Sequence, residues 1–179
     1  MTYAAATDGP PPPDATRGLR VNDRVQRSRV PVLPTVLFAD ASEDYREMAR
    51  DALLEGRNVT DLRTVAGGPE LLAYLARAGA REGAVTPPPS LIFLDADLPG
   101  DPGGFDVIRR LKADPALRRI PVVALGEAGD RDTVAAAYDA GANTYAVKPV
   151  TFLALVRLMK VFTAYWLETA ELPPAGEAA

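Results

Sequence analysis

Three carboxylates and one lysine in this sequence follow short apolar runs, and together they could carry out phosphate chemistry. Asp40 follows TVLFA, Asp95 follows LIFL with Asp97 two residues later, and Lys148 follows TYAV. Carboxylates that meet repel one another, and a divalent cation such as Mg²⁺, which prefers oxygen ligands, relieves that repulsion. A lysine supplies a compact positive charge for a phosphate-sized anion. This set predicts an aspartate that becomes phosphorylated, with Asp95 attacking phosphorus.

The alternation of apolar runs with amphipathic segments predicts the elements that would position these residues. Five strand–helix units follow one another from Thr35, and the last helix is expected from about Phe152 to Glu171. This pattern indicates an α/β fold with a five-stranded parallel, doubly wound sheet and helices on both faces. In open sheets of this kind ligands bind beyond the carboxyl ends of the strands, so we expect the carboxylates and the lysine to converge there.

The composition excludes several classes of function. The chain has 179 residues, a formal net charge of -4, and neither cysteine nor histidine. These absences exclude thiol nucleophiles, imidazole bases, disulfides and the usual zinc ligand sets. The sequence has no run of basic residues of the kind that predicts a nucleic-acid surface. No secretory signal opens the sequence, and charged residues interrupt its most apolar late segment, so we expect no membrane span and a cytoplasmic location.

Composition also divides the chain into three predicted regions. Residues 1–34 contain PPPP and scattered arginines, and we expect a disordered or loosely ordered extension. Residues 35–172 form the predicted domain. Residues 173–179 follow as a short tail, since two prolines end the last helix.

Four stretches resemble the receiver domain of two-component response regulators, and the resemblance covers about Thr35 to Pro173. They are FADAS, LIFLDADLPG, LKADPALRRIPVVAL and GANTYAVKPV. LKADPALRRIP, GANTYAVKPVTF and AYWLE are similar to stand-alone regulators that accompany bacteriophytochrome-type histidine kinases. The resemblance implies a flavodoxin-like receiver fold with an extended last helix. It also implies a single-domain regulator that accepts a phosphoryl group from a histidine kinase, with a bacteriophytochrome as one candidate, and signals through protein contacts.

The resemblance also assigns roles to individual positions. Asp95 would be the phosphoacceptor, able to catalyse its own phosphorylation and dephosphorylation, so the chain would not be an enzyme in the ordinary sense. Mg²⁺ would be held by Asp40, Asp95 and the backbone carbonyl of Asp97. The phosphate would be bound by Lys148 and by the backbone N–H groups of Ala96 and Glu127. Tyr145 would be the aromatic residue that changes rotamer, and the Lys148–Pro149 bond would be cis.

Three departures from the family pattern affect this expectation. The family has two adjacent acids after the first strand, whereas Ala39 precedes Asp40 here, so Mg²⁺ binding should weaken. Gly126 stands where the family has a threonine or serine that contacts the phosphoryl group, and Glu127 stands where a small residue is usual. Glycine and glutamate at these two positions weaken the expectation that phosphorylation switches the conformation of the domain. The loop at residues 101–104 also carries one residue more than usual.

The last helix predicts a homodimer, because its apolar residues occupy more of the circumference than one buried face needs. The expected interface residues are Val156, Phe162, Tyr165 and Trp166. The alternative is that the N-terminal extension covers this surface and leaves a monomer.

Two other functions compete with the phosphorylated regulator. The nearer one is a degenerate receiver that binds proteins independently of phosphorylation, which Ala39 and Gly126 favour. The more remote one is a haloacid-dehalogenase-like phosphatase, because LIFLDADLP also resembles the first motif of those enzymes. The order of the later motifs favours the receiver.

Overall fold

The computed structural model of the protein describes residues 33–57, 60–78, 86–127 and 129–172. Nearly all of the predicted extension, and the whole of the predicted tail, lie outside these residues. Within them strands and helices alternate: β1 Thr35–Ala39, α1 Glu43–Glu55, β2 Asp61–Val65, α2 Gly68–Ala78, β3 Pro89–Asp95, α3 Gly104–Ala113, β4 Val122–Gly126, α4 Arg131–Asp139, β5 Thr144–Val147 and α5 Phe152–Thr163. A π-helical segment, Ala164–Thr169, continues α5.

The strands form one parallel sheet in the order β2-β1-β3-β4-β5. This order places the first and third strands at the centre, and the chain crosses over β1 once to reach β3. The predicted five-stranded, doubly wound α/β fold is therefore confirmed, including its flavodoxin-like class. The carboxyl ends of all five strands meet at one edge, as parallel pairing requires.

Two apolar layers hold the helices against the sheet. One layer joins α2, α3 and α4 to one face, and the other joins α1 and α5 to the opposite face. Every residue of β1 and β4 is buried, as is nearly every residue of β3. The apolar runs lack polar alternation because these central strands are covered on both faces.

Polar side chains cap three of the helices. The Ser42 hydroxyl accepts a hydrogen bond from the backbone N–H of Tyr45 at the start of α1. Asp130 and Thr151 cap α4 and α5 in the same way. The last helix ends at Thr169, two residues before the predicted end. The Lys148–Pro149 bond is trans, contrary to expectation, and the cis bond of the described residues joins Asp101 to Pro102.

A lysine ties together the amino-terminal ends of β4 and β5. The Lys112 ammonium donates hydrogen bonds to the backbone carbonyls of Arg118 and Ile120 and to the Asn143 side-chain oxygen, at 2.7 to 3.1 Å. The same Asn143 oxygen accepts a hydrogen bond from the backbone N–H of Val122 at 2.9 Å. The end of α3, the start of β4 and the start of β5 therefore share one polar cluster.

None of the helices in the described ranges is both long enough and apolar enough to cross a membrane.

The core predicts a contrast between two leucines. Leu91 in β3 is fully buried, whereas the Leu54 side chain on α1 is 71% exposed. We expect Leu91→Ala to lower the free energy of unfolding by about 2–5 kcal/mol, because it leaves a cavity beneath α1 and α5. Leu54→Ala should change it by no more than about 0.5 kcal/mol. Urea titration followed by circular dichroism measures both, and equal losses would contradict the described core.

Candidate functional site

The Lys148 ammonium lies between two buried carboxylates at the carboxyl edge of the sheet. Its Nζ is 2.7 Å from Oδ2 of Asp40 and 3.1 Å from Oδ2 of Asp95. Asp40 is 1% exposed and Asp95 is 7% exposed. Three residues from three different strand ends, separated by up to 108 positions in the sequence, thus form one charged cluster. Asp40, Asp95 and Lys148 therefore lie together at one edge of the sheet, as the sequence predicts.

Asp40 is fixed by the turn that leads from β1 into α1. Its Oδ1 accepts a hydrogen bond from the Ser42 backbone N–H at 2.9 Å, and its own backbone N–H donates to the Val65 carbonyl of β2. Oδ2 is near Lys148 but accepts no well-aligned hydrogen bond, although it is buried. This oxygen therefore retains capacity for another electropositive ligand.

Asp95 is held by one backbone donor and one ammonium group. Its Oδ1 accepts a hydrogen bond from the Asp97 backbone N–H at 3.0 Å, and its Oδ2 accepts one from Lys148. Burial raises the pKa of Asp95 above its ordinary value, and the negative charge of Asp40 adds to this, whereas Asp97 and Lys148 oppose it. The carboxyl group is thus close to a positive charge in a site with little water.

Tyr45 packs its ring against the Lys148 ammonium and is a site residue that sequence reasoning missed. The Lys148 ammonium lies 4.5 Å from the centre of the Tyr45 ring, a cation–π arrangement. The Tyr45 hydroxyl donates a hydrogen bond to the Pro149 carbonyl at 3.1 Å, which fixes the backbone next to Lys148. The apolar periodicity of α1 accounts only for the burial of the Tyr45 ring. Its hydroxyl, which needs a partner when buried, was the signal for a second role.

Opposing effects act on the pKa of Lys148. Burial lowers it, but the close contacts and negative charges of Asp40 and Asp95 outweigh burial and raise the pKa above its ordinary value. Lys148 therefore carries its positive charge throughout the neutral pH range. Burial and the same two carboxylates raise the pKa of Tyr45, so its phenol stays protonated.

The two predicted backbone phosphate donors differ in the structure. The Ala96 N–H donates to the Leu125 carbonyl at 2.7 Å, because the β3–β4 ladder continues one residue past Asp95. This N–H is thus engaged in the sheet, and the Asp97 N–H faces the acceptor carboxylate. The Glu127 N–H lies at the site, where it donates a long hydrogen bond of 3.4 Å to Oδ2 of Asp97.

Gly126 and Tyr145 lie against each other at the ends of β4 and β5. The tyrosine ring covers the face of Gly126 where a side chain would begin. Tyr145 is half-buried and packs against the core on the side of α2, α3 and α4. The two positions predicted to govern switching are therefore in direct contact.

The donor set fits a hard divalent cation. Among the described ranges no three acidic side chains are close enough to form a metal cluster by themselves. Asp40 and Asp95 nevertheless provide two carboxylates close together, and Oδ2 of Asp40 has an unused lone pair. A backbone carbonyl and water molecules commonly complete such a set for Mg²⁺. The site offers only oxygen ligands, which agrees with the expected cation.

Three of the four predicted interface residues serve the core of their own domain. Val156, Phe162 and Trp166 are half-buried against the layer formed with α1, and the Phe162 ring meets the Phe93 ring edge to face. Tyr165 is 53% exposed, and two further apolar residues on α5, Leu153 and Val161, are exposed to a similar degree. The last helix thus has an exposed apolar surface that includes one of the four expected residues, Tyr165, together with Leu153 and Val161.

Three comparisons place this site among known proteins. The family model of the response regulator receiver domain matches residues 36–160. Response regulator Rcp1 from Synechocystis sp. is 32% identical over 140 residues, which cover 78% of this chain and 92% of that protein. The crystal structure of the phosphorylated cyanobacterial phytochrome response regulator RcpA matches with a TM-score of 0.69 and 30% identity, covering 79% of this chain and 99% of that chain. The Mn²⁺-bound form of Rcp1 matches with a TM-score of 0.67 and 28% identity, with the same coverage.

The match to the family model spans both core layers and every residue of the charged cluster. The chain belongs to the response regulator receiver family.

Proposed function

We propose that this chain is a phosphorylatable single-domain response regulator whose phosphoacceptor is Asp95. The observation that carries the proposal is the position of the Asp95 carboxylate, buried at a strand end and in contact with the Lys148 ammonium. Buried, coupled charges in a cleft mark functional sites more often than structural ones. The similarity to a receiver that was crystallised in its phosphorylated form supports the same function.

The reaction needs little from the protein besides position and charge. An Asp95 oxygen forms a bond to phosphorus, while the bond from phosphorus to the leaving group of the donor breaks. Lys148 offsets negative charge on the phosphoryl oxygens, and Tyr45 keeps the ammonium in place. Backbone N–H groups past the strand ends, including Glu127, are available to bind the remaining oxygens.

A divalent cation completes the proposed site. Asp40, Asp95 and the backbone carbonyl of Asp97 are the residues that would hold Mg²⁺, and the ion would neutralise charge on the phosphoryl group. The Mn²⁺-bound structure of Rcp1 supports a cation in this class of site. Ala39 contributes no carboxylate, so we propose weak affinity.

We also propose that the phosphoryl donor is a histidine kinase. RcpA is described as a phytochrome response regulator, which makes a phytochrome-type kinase the first candidate. The charged cluster lies at the strand ends, and Lys148 is 15% exposed, so a donor group can reach it from the loop side. A chain of this kind would signal through protein contacts.

Phosphorylation on Asp95 is the first prediction from the site. Incubation with Mg²⁺ and acetyl phosphate should add one phosphoryl group to the wild-type protein, and Asp95→Asn should remove all of it, because an amide oxygen is a poor nucleophile. Intact mass spectrometry measures the gain. Asp51→Asn, which changes an exposed acid on α1, is the matched control and should gain the phosphoryl group as the wild type does. Absence of phosphate on the wild type would favour the phosphorylation-independent binding module.

Metal binding should depend on Asp40 and improve when Ala39 is replaced. We expect Asp40→Ala to abolish Mg²⁺ binding and Ala39→Asp to tighten it roughly tenfold, since outer carboxylates change metal affinity by such factors. An NMR titration of backbone amides with Mg²⁺ measures both. Asp106→Ala, which removes an exposed acid on α3, should change nothing. Binding that is insensitive to Asp40→Ala would refute the assigned ligand.

We propose a homodimer that uses the exposed side of the last helix. Leu153, Val161 and Tyr165 are large, exposed and separated by eight and four residues, so they lie on one side of the helix. Exposed apolar surface of this kind marks contacts, and a two-fold interface is the commonest solution for identical chains.

The double substitution Val161→Glu and Tyr165→Glu tests this dimer. We expect light scattering at micromolar concentration to give a dimer for the wild type and a monomer for the double variant, because each interface would then bury four unpaired carboxylates. Tyr138→Glu changes an exposed tyrosine on α4 and serves as the control, which should remain dimeric. A monomeric wild type, or a double variant that still dimerises, would contradict the proposal.

A further inference from the structure

The Arg46 guanidinium holds the turn between β1 and α1 that carries Asp40. Its Nη1 donates one hydrogen bond to the Asp40 carbonyl oxygen at 2.6 Å and another to the Ala41 carbonyl oxygen at 3.0 Å. A guanidinium Nη carries two protons, so one group can serve both carbonyls. Within the described ranges Arg46 forms no ion pair with a carboxylate. Its polar side-chain partners there are the two carbonyls of the turn.

These two carbonyls precede the helix and are not reached by the hydrogen bonds of its first turn. The carbonyl of Ser42 is the first that a helical N–H reaches, and it accepts from the Arg46 backbone at 3.1 Å. Carbonyl oxygens without a backbone donor take their partner from a side chain or from water. Arg46 supplies that partner because side chains on a helix point back towards its amino terminus.

The contact with Ala41 reaches the Asp40 carboxylate through a single peptide group. The Ala41 carbonyl and the Ser42 N–H belong to the same planar trans peptide, so they point in opposite directions and cannot rotate separately. The Ser42 N–H in turn donates to Oδ1 of Asp40 at 2.9 Å. By holding the Ala41 oxygen, Arg46 therefore also fixes the direction of the N–H that orients the carboxylate.

The orientation of Asp40 matters because the site has few other means of placing a cation. The side chain is buried, and its Oδ2 accepts no well-aligned hydrogen bond within the described residues. A binding group must be held within about 0.5 Å of its productive position. Since Ala39 stands where a second acid would be, no adjacent carboxylate can compensate for a misplaced Asp40.

The charge of Arg46 acts in the opposite direction to its hydrogen bonds. A guanidinium close to Asp40 repels an incoming cation, so charge alone predicts that Mg²⁺ binds more tightly once Arg46 is replaced. Loss of the contacts that orient a ligand predicts weaker binding. The sign of the change in affinity therefore separates an electrostatic role from a positioning role.

We propose that Arg46 is a positioning residue, which holds the Asp40 carboxylate in the orientation that binds a divalent cation. The inference rests on the proposed metal site. It adds a residue of α1 that touches neither the cation nor the phosphoryl group and acts through the Ala41–Ser42 peptide.

Two arginine variants on the same helix test this role. Arg46→Met keeps most of the side-chain length and removes the donors and the charge. Arg50→Met is the matched control, because it removes the same charge one turn later from an exposed residue whose contact is a 3.5 Å hydrogen bond to the Thr64 hydroxyl. NMR titration of backbone amides measures the Mg²⁺ affinity of each variant. Hydrogen–deuterium exchange at the Ser42 amide, measured without metal, reports the turn itself, and thermal unfolding checks that both variants are folded.

We expect Arg46→Met to bind Mg²⁺ about tenfold more weakly, at the lower end of the range for residues that orient metal ligands, because the lost charge offsets part of the effect. The Ser42 amide of this variant should exchange faster than in the wild type, while the amides of β3 should not. Arg50→Met should bind Mg²⁺ no more weakly than the wild type. A merely stabilising role for Arg46 would lower the unfolding temperature and leave both the affinity and the Ser42 amide unchanged.

The outcomes distinguish this inference from the function on which it depends. If the wild type binds Mg²⁺ and Arg46→Met binds it equally or more tightly, the positioning role is refuted and the metal site stands. If the wild type binds no Mg²⁺, the proposed metal site fails and the role of Arg46 fails with it. NMR of the wild type gives an independent test that needs no variant: the two hydrogen bonds should give slowly exchanging, separate resonances for the Arg46 Nη protons, and a single averaged resonance would refute the contacts.

Discussion

The architecture of the site depends on one constraint: two carboxylates buried within reach of each other need a positive charge between them. Asp40 and Asp95 are almost completely excluded from solvent, and Lys148 contacts both. An uncompensated buried carboxylate costs several kcal/mol, about as much as a domain can lose and remain folded. The lysine must therefore be held in place, and Tyr45 does so with its ring under the ammonium and its hydroxyl on the next carbonyl.

The sheet brings these groups together because parallel strands align their ends. The order β2-β1-β3-β4-β5 sets β1 beside β3, so Asp40 and Asp95 follow neighbouring strands. Lys148 reaches both carboxylates from the end of β5, two strands away from β3. The two apolar layers secure that order by covering both faces. The stability of the core and the geometry of the charged cluster thus come from the same strands, whose inner residues pack while their last residues carry charge.

Much of this could be predicted from the sequence, and the rest depends on contacts that periodicity does not encode. The strands and the meeting of Asp40, Asp95 and Lys148 follow from apolar runs and from the rule that parallel strands end at one edge. Which backbone N–H faces the acceptor carboxylate does not follow, because the ladder takes the N–H of Ala96 and the N–H of Asp97 donates to Asp95. The exposed side of the last helix does not follow either. Phe162 and Trp166 pack partly against the core, and hydrophobicity alone does not decide which apolar residues of a helix face the sheet and which face solvent.

The Lys112 cluster fixes the starting points of β4 and β5. At the amino-terminal ends of these strands, one ammonium and one amide oxygen together join a helix, a loop and both strands through four hydrogen bonds. At the opposite ends the same strands lead to Glu127, whose backbone N–H contacts Asp97, and to Lys148, which contacts Asp95. A slip of either strand along its neighbour would break the hydrogen bonds of the Lys112 cluster as well as the ladder between the strands. The cluster at the far edge of the sheet therefore fixes the register on which the position of Lys148 depends.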